Sequence, residues 1–259
     1  MKTRFLKLFK EEFNMYDFLK KNIKTLIPKQ FLFKNELFFR AFHGVFFLGN
    51  MHQCNVCNKK LRSYIKLENK DLMCPFCGSL ARNRRLWALL NKDGPLQGKL
   101  LHFSPSRNLY RNLKKEKDID YFSSDFANNF LADYNIDITN INQESEKFDT
   151  IICYHILEHI IDDQKAIAEL YRVLKPDGKI YIQTPFKEGH IYEDHSKVSF
   201  EERLIHFGQD DHVRIYSVEG LKNRLENCGF KVSVKSFNKK KEDSYFGFTS
   251  PETVLIVKK

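Results

Sequence analysis

Two pairs of cysteines are the residues of this chain whose spacing most clearly predicts chemistry. Cys54 and Cys57 form one C-x-x-C unit, Cys74 and Cys77 form a second, and 16 residues separate the two units. Four thiolates in two tight turns suit tetrahedral Zn²⁺, and this spacing is typical of zinc sites. Such a site has no open coordination position, so we expect a structural zinc ion. Redox chemistry at the C-x-x-C units is the alternative interpretation.

A polar segment at 187–216 is dense in His, Asp, Glu and Arg, which makes it a candidate region for acid–base chemistry and polar ligand contacts. His212, assisted by Asp211, is the favoured general base. Arg214 can hold a phosphate or carboxylate group through two parallel N–H bonds, and Gln209 offers a second polar contact. The alternative is a solvated lid without a chemical role.

A second acid–base pair, Glu158 and His159, follows an apolar run, and His159 is a further catalytic candidate. A local structural role is the alternative for this pair. A metal site made of histidines is a weaker interpretation, because their spacing fits no familiar pattern. It would draw on His190, His195, His206 and His212.

The elements that position these residues follow from hydrophobic periodicity. Strands alternate with amphipathic helices, which predicts a Rossmann-like α/β fold with a mostly parallel sheet and a terminal antiparallel pair. The KKKED run at 239–243 is interpreted as a solvated hairpin turn. The predicted strands are 99–104, 119–124, 149–155, 179–185, 231–237 and 253–259, and the predicted helices are 107–115, 162–175 and 217–230.

The chain divides into three predicted regions: a basic, aromatic helical arm at 1–53, a zinc module with its connecting helix at 54–92, and an α/β domain at 99–259. Residues 1–115 contain 24 Lys and Arg against 7 Asp and Glu, whereas residues 116–259 contain 19 against 26. This asymmetry indicates contact with nucleic acid, an anionic membrane surface or a phosphorylated substrate, or a solvated basic face.

The basic arm either lies on a membrane surface or packs on its own protein. The helix ARNRRLW can likewise contact phosphates or dock the two modules together. No apolar run is long enough for a membrane span, and the N-terminus lacks the pattern of a signal peptide. We therefore expect a cytoplasmic protein with reduced thiols.

Two phrases give the chain a family resemblance. FDTIICYHILEH and the later RVLKPDG resemble class I S-adenosylmethionine (SAM) dependent methyltransferases. CPFCGSLARNR, HFSPS and HFGQDDHVRIY resemble a bacterial subgroup of these enzymes that carries an N-terminal zinc ribbon, and the match covers about residues 50–237. The resemblance implies a class I methyltransferase fold and SAM as cofactor.

The resemblance also assigns roles to individual residues. It implies that Asp125 accepts hydrogen bonds from the ribose hydroxyls, and that Asp137, followed by Ile138, holds the adenine. Tyr154 would line the methionine side. The first strand–helix turn would contact the cofactor through His102, Ser104 and Ser106. This turn has no glycine, and Ser106 stands where the subgroup's HFAPE pattern has an acid.

Together these features predict transfer of a methyl group to a small-molecule or glycan-like acceptor, at a hydroxyl rather than an amine. An RNA methyltransferase that grips phosphates with its basic half is the second hypothesis. A non-enzymatic scaffold that retains the fold is the third.

Overall fold

The computed structural model describes residues 35–92, 94–126 and 131–259. The helix predicted within the first part of the basic arm lies outside the described residues.

The described part begins with the cysteine-bearing module. β1 pairs antiparallel with β2, and β3 pairs antiparallel with β4. Because β1 precedes the first cysteine and pairs within the module, residues 48–53 belong structurally to the module rather than to the arm. The elements are α1 (Glu36–Gly44), a 3₁₀ helix (Val45–Phe47), β1 (Leu48–Gln53), β2 (Lys60–Leu61), β3 (Ile65–Lys66), β4 (Leu72–Met73) and α2 (Ala81–Leu90).

The second part contains a six-stranded sheet in the order β11–β12–β8–β7–β5–β6. Strands β5 to β8 are parallel to one another, whereas β12 is antiparallel to both β8 and β11. The predicted fold class is therefore confirmed, including the terminal antiparallel pair. The elements are β5 (Gly98–Phe103), α3 (Arg107–Leu113), β6 (Ile119–Ser124), β7 (Phe148–Tyr154), α4 (Asp163–Val173), β8 (Leu174–Gln183), β9 (Tyr192–Glu193), α5 (Phe200–Phe207), β10 (Arg214–Ile215), α6 (Val218–Asn227), β11 (Lys231–Phe237), α7 (Lys241–Phe246) and β12 (Glu252–Lys258).

Alternation along the central strand β7 assigns its side chains to two cores. Ile151 and Cys153 pack in a core shared with helices α4 and α6. Ile152 belongs to the opposite core, which includes Leu86 and Leu89 of α2 together with residues of α3. Full burial of such side chains contributes about 1.5–3 kcal/mol each. Helix α2 is therefore a layer of the α/β domain as well as the end of the cysteine module.

The prediction of a solvated hairpin turn at 239–243 is only partly confirmed, since residues 239–242 are exposed and the segment joins the antiparallel strands β11 and β12. Residues Lys241–Phe246 form helix α7, whose Asp243 is buried. The carboxylate of Asp243 accepts from the backbone N–H of Lys240 at the start of the helix and forms an ion pair with Arg85 of α2. A run of charges is consistent with a solvated turn. Here, however, Arg85 of the distant helix α2 pairs with Asp243 and stabilises helix α7.

Candidate functional site

The four cysteine side chains form one cluster in the module, with all four sulfur atoms within 4.8 Å of one another. The Sγ–Sγ distance is 3.7 Å for Cys54 and Cys77, and also 3.7 Å for Cys57 and Cys74. A tetrahedron with Zn–S bonds of 2.3 Å has edges of about 3.8 Å. The cluster thus matches the spacing of a tetrahedral thiolate site, and no disulfide links these cysteines.

Arg84 of α2 joins the cysteine module to the α/β domain. Its side chain is fully buried and lies over the ring of Tyr64, with 4.3 Å to the ring centroid. The guanidinium donates to the backbone carbonyls of Phe246 and Gly247 at the end of α7. It also donates to the carbonyls of two module residues, Ser79 and Leu72. Arg84 therefore docks the two parts and is not available to a phosphate.

Arg85 makes the neighbouring contact of this interface. It forms ion pairs with Asp243 and with Glu252 of β12, at 3.2 and 3.3 Å. Its guanidinium lies between the rings of Phe237 and Phe248. Burial raises the pKa of Glu252 to about 7, although Arg85 acts in the opposite direction. The interpretation of this helix as a docking element is the one that the structure supports.

The turn after β5 adopts the conformation that a glycine would supply. Ser104 has φ of 44°, in the left-handed region, although its side chain is not glycine. Its hydroxyl donates to Asp125, with 2.7 Å between Oγ and Oδ1, and this bond joins the ends of β5 and β6. Asp125 is buried. The lack of glycine therefore does not prevent the turn from forming, and the two residues lie together at the carboxyl edge of the sheet.

The other predicted cofactor residues differ in their burial and in their hydrogen-bond partners. His102 is buried, bonds to the hydroxyl of Tyr121, and has a pKa that burial lowers to about 3. Ser106 precedes the first turn of α3. Asp137 accepts two hydrogen bonds from Thr139 in a local turn, and Ile138 is part of the core. These contacts are structural, and Asp137 and Ser106 are both partly exposed.

A group of unpartnered polar atoms lies at the carboxyl ends of β7 and β8. Among the described residues, eight buried side-chain N or O atoms lack a hydrogen-bond partner, and six of these lie here. Leaving a buried polar group unpaired costs about 1–3 kcal/mol, so such groups need an explanation. The six atoms are Tyr154 Oη, His155 Nε2, both carboxylate oxygens of Glu158, Gln183 Oε1 and Thr184 Oγ1.

His155 adds backbone strain at the same place. Its φ is 55°, while its N–H donates to the carbonyl of Gln183. Its Nδ1 lies 3.3 Å from Oε1 of Glu158, an ion-pair distance without hydrogen-bond geometry. In an open α/β sheet, ligands bind at the carboxyl ends of the strands. Sequence reasoning missed Gln183 and Thr184, although a polar Gln-Thr pair at the end of an apolar strand was a signal.

The predicted catalytic residues His159, His212 and Asp211 lie together beside Glu158. The His159 and His212 rings meet edge to face, with 4.6 Å between centroids. Nδ1 of His159 lies 3.2 Å from Oδ2 of Asp211. The N–H of Val213 donates to the carbonyl of Glu158, which fixes the insertion against the 3₁₀ helix at 157–159. Residues 53 positions apart are thus brought into one cluster.

Burial and neighbouring charges shift the pKa values of two groups in this cluster. Burial lowers the pKa of His212, and the charge of His159 adds to the effect. Burial opposes ionisation of Glu158, yet contact with His155 holds the pKa of its carboxyl below the ordinary value. The two shifts favour the neutral form of His212 and the ionised form of Glu158.

Arg214 does not face an acceptor, and its predicted substrate-binding role has no structural support. Its side chain is 1% exposed and pairs with Glu193, with 2.9 Å between Nε and Oε2. The remaining guanidinium nitrogens donate to the carbonyls of Leu157, Ile160 and Ile161. Every nitrogen is thus engaged by the protein, and Arg214 holds the insertion against the 3₁₀ helix. Gln209 is exposed on the insertion.

The parallel sheet, its antiparallel edge and the polar site at the strand ends define a protein of the class I methyltransferase type. The family model described as "Methyltransferase domain" matches residues 77–233, and the chain belongs to this family. The family that the sequence resemblance implied is therefore confirmed.

The matches to individual proteins either cover a short segment or have low sequence identity. A segment of 48 residues is 35% identical to the ubiquinone biosynthesis O-methyltransferase of Coxiella burnetii; it covers 18% of this chain and 20% of that protein. A SAM dependent methyltransferase from Archaeoglobus fulgidus is 17% identical with a TM-score of 0.49, covering 69% of this chain and 92% of the other. The [4+2]-cyclase SpnF is 14% identical with a TM-score of 0.50, covering 76% and 86%. These structural likenesses concern the fold alone.

No helix among the described residues is long and apolar enough to cross a membrane.

Proposed function

We propose that the protein transfers the methyl group of SAM to a hydroxyl of a small-molecule acceptor bound at the carboxyl ends of β7 and β8. The observation that carries this proposal is the concentration of unpartnered buried polar atoms at that edge. A polar ligand bound at that edge would supply partners that these atoms lack. A glycan-like acceptor remains within this proposal.

SAM supplies a methyl group on a positively charged sulfur. The acceptor oxygen forms a bond to the methyl carbon, the carbon–sulfur bond breaks, and its electron pair stays on sulfur while the hydroxyl proton leaves. The protein's part is to align oxygen and methyl group and to assist loss of that proton. His159, Asp211 and His212, next to Glu158, are the residues that we propose for this assistance.

The cofactor end of the site is proposed from Ser104 and Asp125. A carboxylate offers two acceptor oxygens for a pair of ribose hydroxyls. The hydrogen bond from Ser104 fixes the orientation of the Asp125 carboxylate, so that the group is held in place before ligand binds. Tyr154, Asp137 and Ile138, with His102 and Ser106, remain proposed neighbours of SAM.

The zinc-bearing part is proposed to be structural. Four thiolates at tetrahedral spacing would saturate the ion, and Arg84 and Arg85 fasten its module to the α/β domain. The same two arginines were candidates for phosphate contact in the RNA hypothesis. Because both are buried in the interface, that hypothesis loses two of its predicted contacts and gains no specific observation.

Calorimetric titration of SAM tests the proposal. We expect Asp125→Asn to weaken binding at least tenfold, because an amide offers one acceptor oxygen where the carboxylate offers two. Asp120→Asn is the matched control, since Asp120 is an exposed aspartate near the opposite end of the same strand. Equal affinities for wild type, control and Asp125→Asn would refute the cofactor assignment. No heat with the wild type would refute SAM binding itself.

A further inference from the structure

Three ligand atoms of the proposed catalytic cluster stand in an arrangement typical of a metal site. One atom each from Glu158, His159 and His212 lies within 4.8 Å of the others. Three donors bonded at about 2.1 Å to a shared ion lie about 3.4–3.6 Å apart at tetrahedral or trigonal angles, so side-chain adjustments of at most about 1.4 Å suffice. We propose that these residues bind a divalent transition-metal ion, separate from the cysteine site.

The unsatisfied carboxylate of Glu158 is the strongest support. Glu158 is 1% exposed, and neither oxygen has a hydrogen-bond partner. Its ion-pair partner among the described residues is the imidazole of His155, and no lysine or arginine of that part of the chain pairs with it. A buried carboxylate without a cation is costly. A bound metal ion would supply the missing charge.

His159 is oriented as a metal-bound histidine usually is. Its Nδ1 is 3.2 Å from the carboxylate of Asp211 and 3.3 Å from the Asp211 carbonyl. A proton on Nδ1, shared with these acceptors, leaves the lone pair of Nε2 for the ion. Metal-bound histidines commonly donate their second ring nitrogen to a carboxylate in this manner. Asp211 is therefore a positioning residue for the site.

The ligand set also defines the type of ion and its use. Imidazole and carboxylate together suit zinc, manganese, iron or cobalt, unlike the all-thiolate cysteine cluster. Three protein ligands leave at least one coordination position open. An acceptor hydroxyl bound there would lose its proton at lower pH. This use of the ion rests on the proposed methyl transfer, whereas the binding of the ion does not.

Cobalt titration of the zinc-loaded full-length protein tests the proposal. We expect one Co²⁺ per chain beyond the zinc, with visible d–d absorption and no thiolate charge-transfer band. His212→Ala and Glu158→Gln should abolish this binding, while His195→Ala, which changes an exposed histidine outside the cluster, should retain it. Absence of a second ion in the wild type, or equal binding by His212→Ala, would overturn the inference. So would a thiolate band from the second ion.

Asp211→Asn tests the metal site even if the variants at buried residues fail to fold. The side chain of Asp211 is 58% exposed, so its replacement should preserve the fold. We expect about 10–100-fold weaker cobalt binding, since loss of a carboxylate behind a ligand histidine has that effect. An unchanged cobalt affinity in this variant would contradict the orientation argument. SAM titration of the same samples separates the two proposals: SAM bound without cobalt overturns only the metal site, and cobalt bound without SAM overturns only the cofactor assignment.

Discussion

Replacement of Arg84 by alanine should uncouple the cysteine module from the α/β domain. The wild-type guanidinium makes four hydrogen bonds to backbone carbonyls, two of them at the end of α7. A hydrogen bond that involves a charged group contributes about 1.5–3 kcal/mol. Loss of only two such bonds therefore lowers the free energy of unfolding by about 3–6 kcal/mol. At about 2–4 °C per kcal/mol for a chain of this size, a loss of 3 kcal/mol lowers Tm by about 6–12 °C.

Differential scanning calorimetry of the zinc-loaded protein measures this effect. Arg82→Ala is the matched control, because Arg82 lies on the same helix and is only partly buried. We expect the control to stay within about 0.5 kcal/mol of the wild type. If both variants shift Tm by the same amount, the docking role of Arg84 is refuted. A zinc-release assay provides a second reading, in which only Arg84→Ala should lose the ion faster.

Three further outcomes are expected. His102 has a folded-state pKa of about 3, below its ordinary 6.5, so the native state binds fewer protons and stability rises with pH through this window. Between pH 5 and 8 the gain is about 2 kcal/mol, and denaturant titrations should find it missing in His102→Gln. Removal of the cysteine-bound ion by a chelator should expose the amides of α7 to hydrogen exchange; continued protection would contradict coupling across the interface. Arg214→Met should cost about 1–3 kcal/mol of stability in thermal unfolding for each buried carbonyl that it leaves without a donor, whereas a raised acceptor KM at unchanged stability would restore a substrate role.

The sheet could be predicted because its strands are local features. Strands β5, β7 and β8 are short apolar runs bounded by polar turns, and this pattern needs no information from distant residues. The cysteine cluster was predictable for the same reason, since two C-x-x-C units fix most of its geometry. The glycine-free turn was harder to interpret. Ser104 adopts a left-handed backbone conformation that a serine does not predict.

The features that were not predicted depend on contacts between residues that are distant in the sequence. Arg214 has the chemistry of an anion ligand, and only tertiary structure brings Glu193 and the carbonyls of the 3₁₀ helix to it. Helix α7 was mistaken for a turn because its stabilising partner, Arg85, is more than 150 positions away. His212 and His159 were each identified, but their sequence separation concealed that they form one cluster with Glu158.

The interface at Arg84 also constrains how this protein can be made. The acceptor carbonyl at Gly247 lies 163 residues after Arg84, so the ribosome must add that many residues before the bond can form. At synthesis rates of about 5–20 residues per second, that interval lasts roughly 8 to 33 seconds. During this time the nascent module contains its thiols and the Arg84 side chain, but the carbonyls at the end of α7 that bind Arg84 have not yet been synthesised. Chain termination upstream of α7 would leave a cysteine-rich segment that can acquire metal but cannot complete its fold.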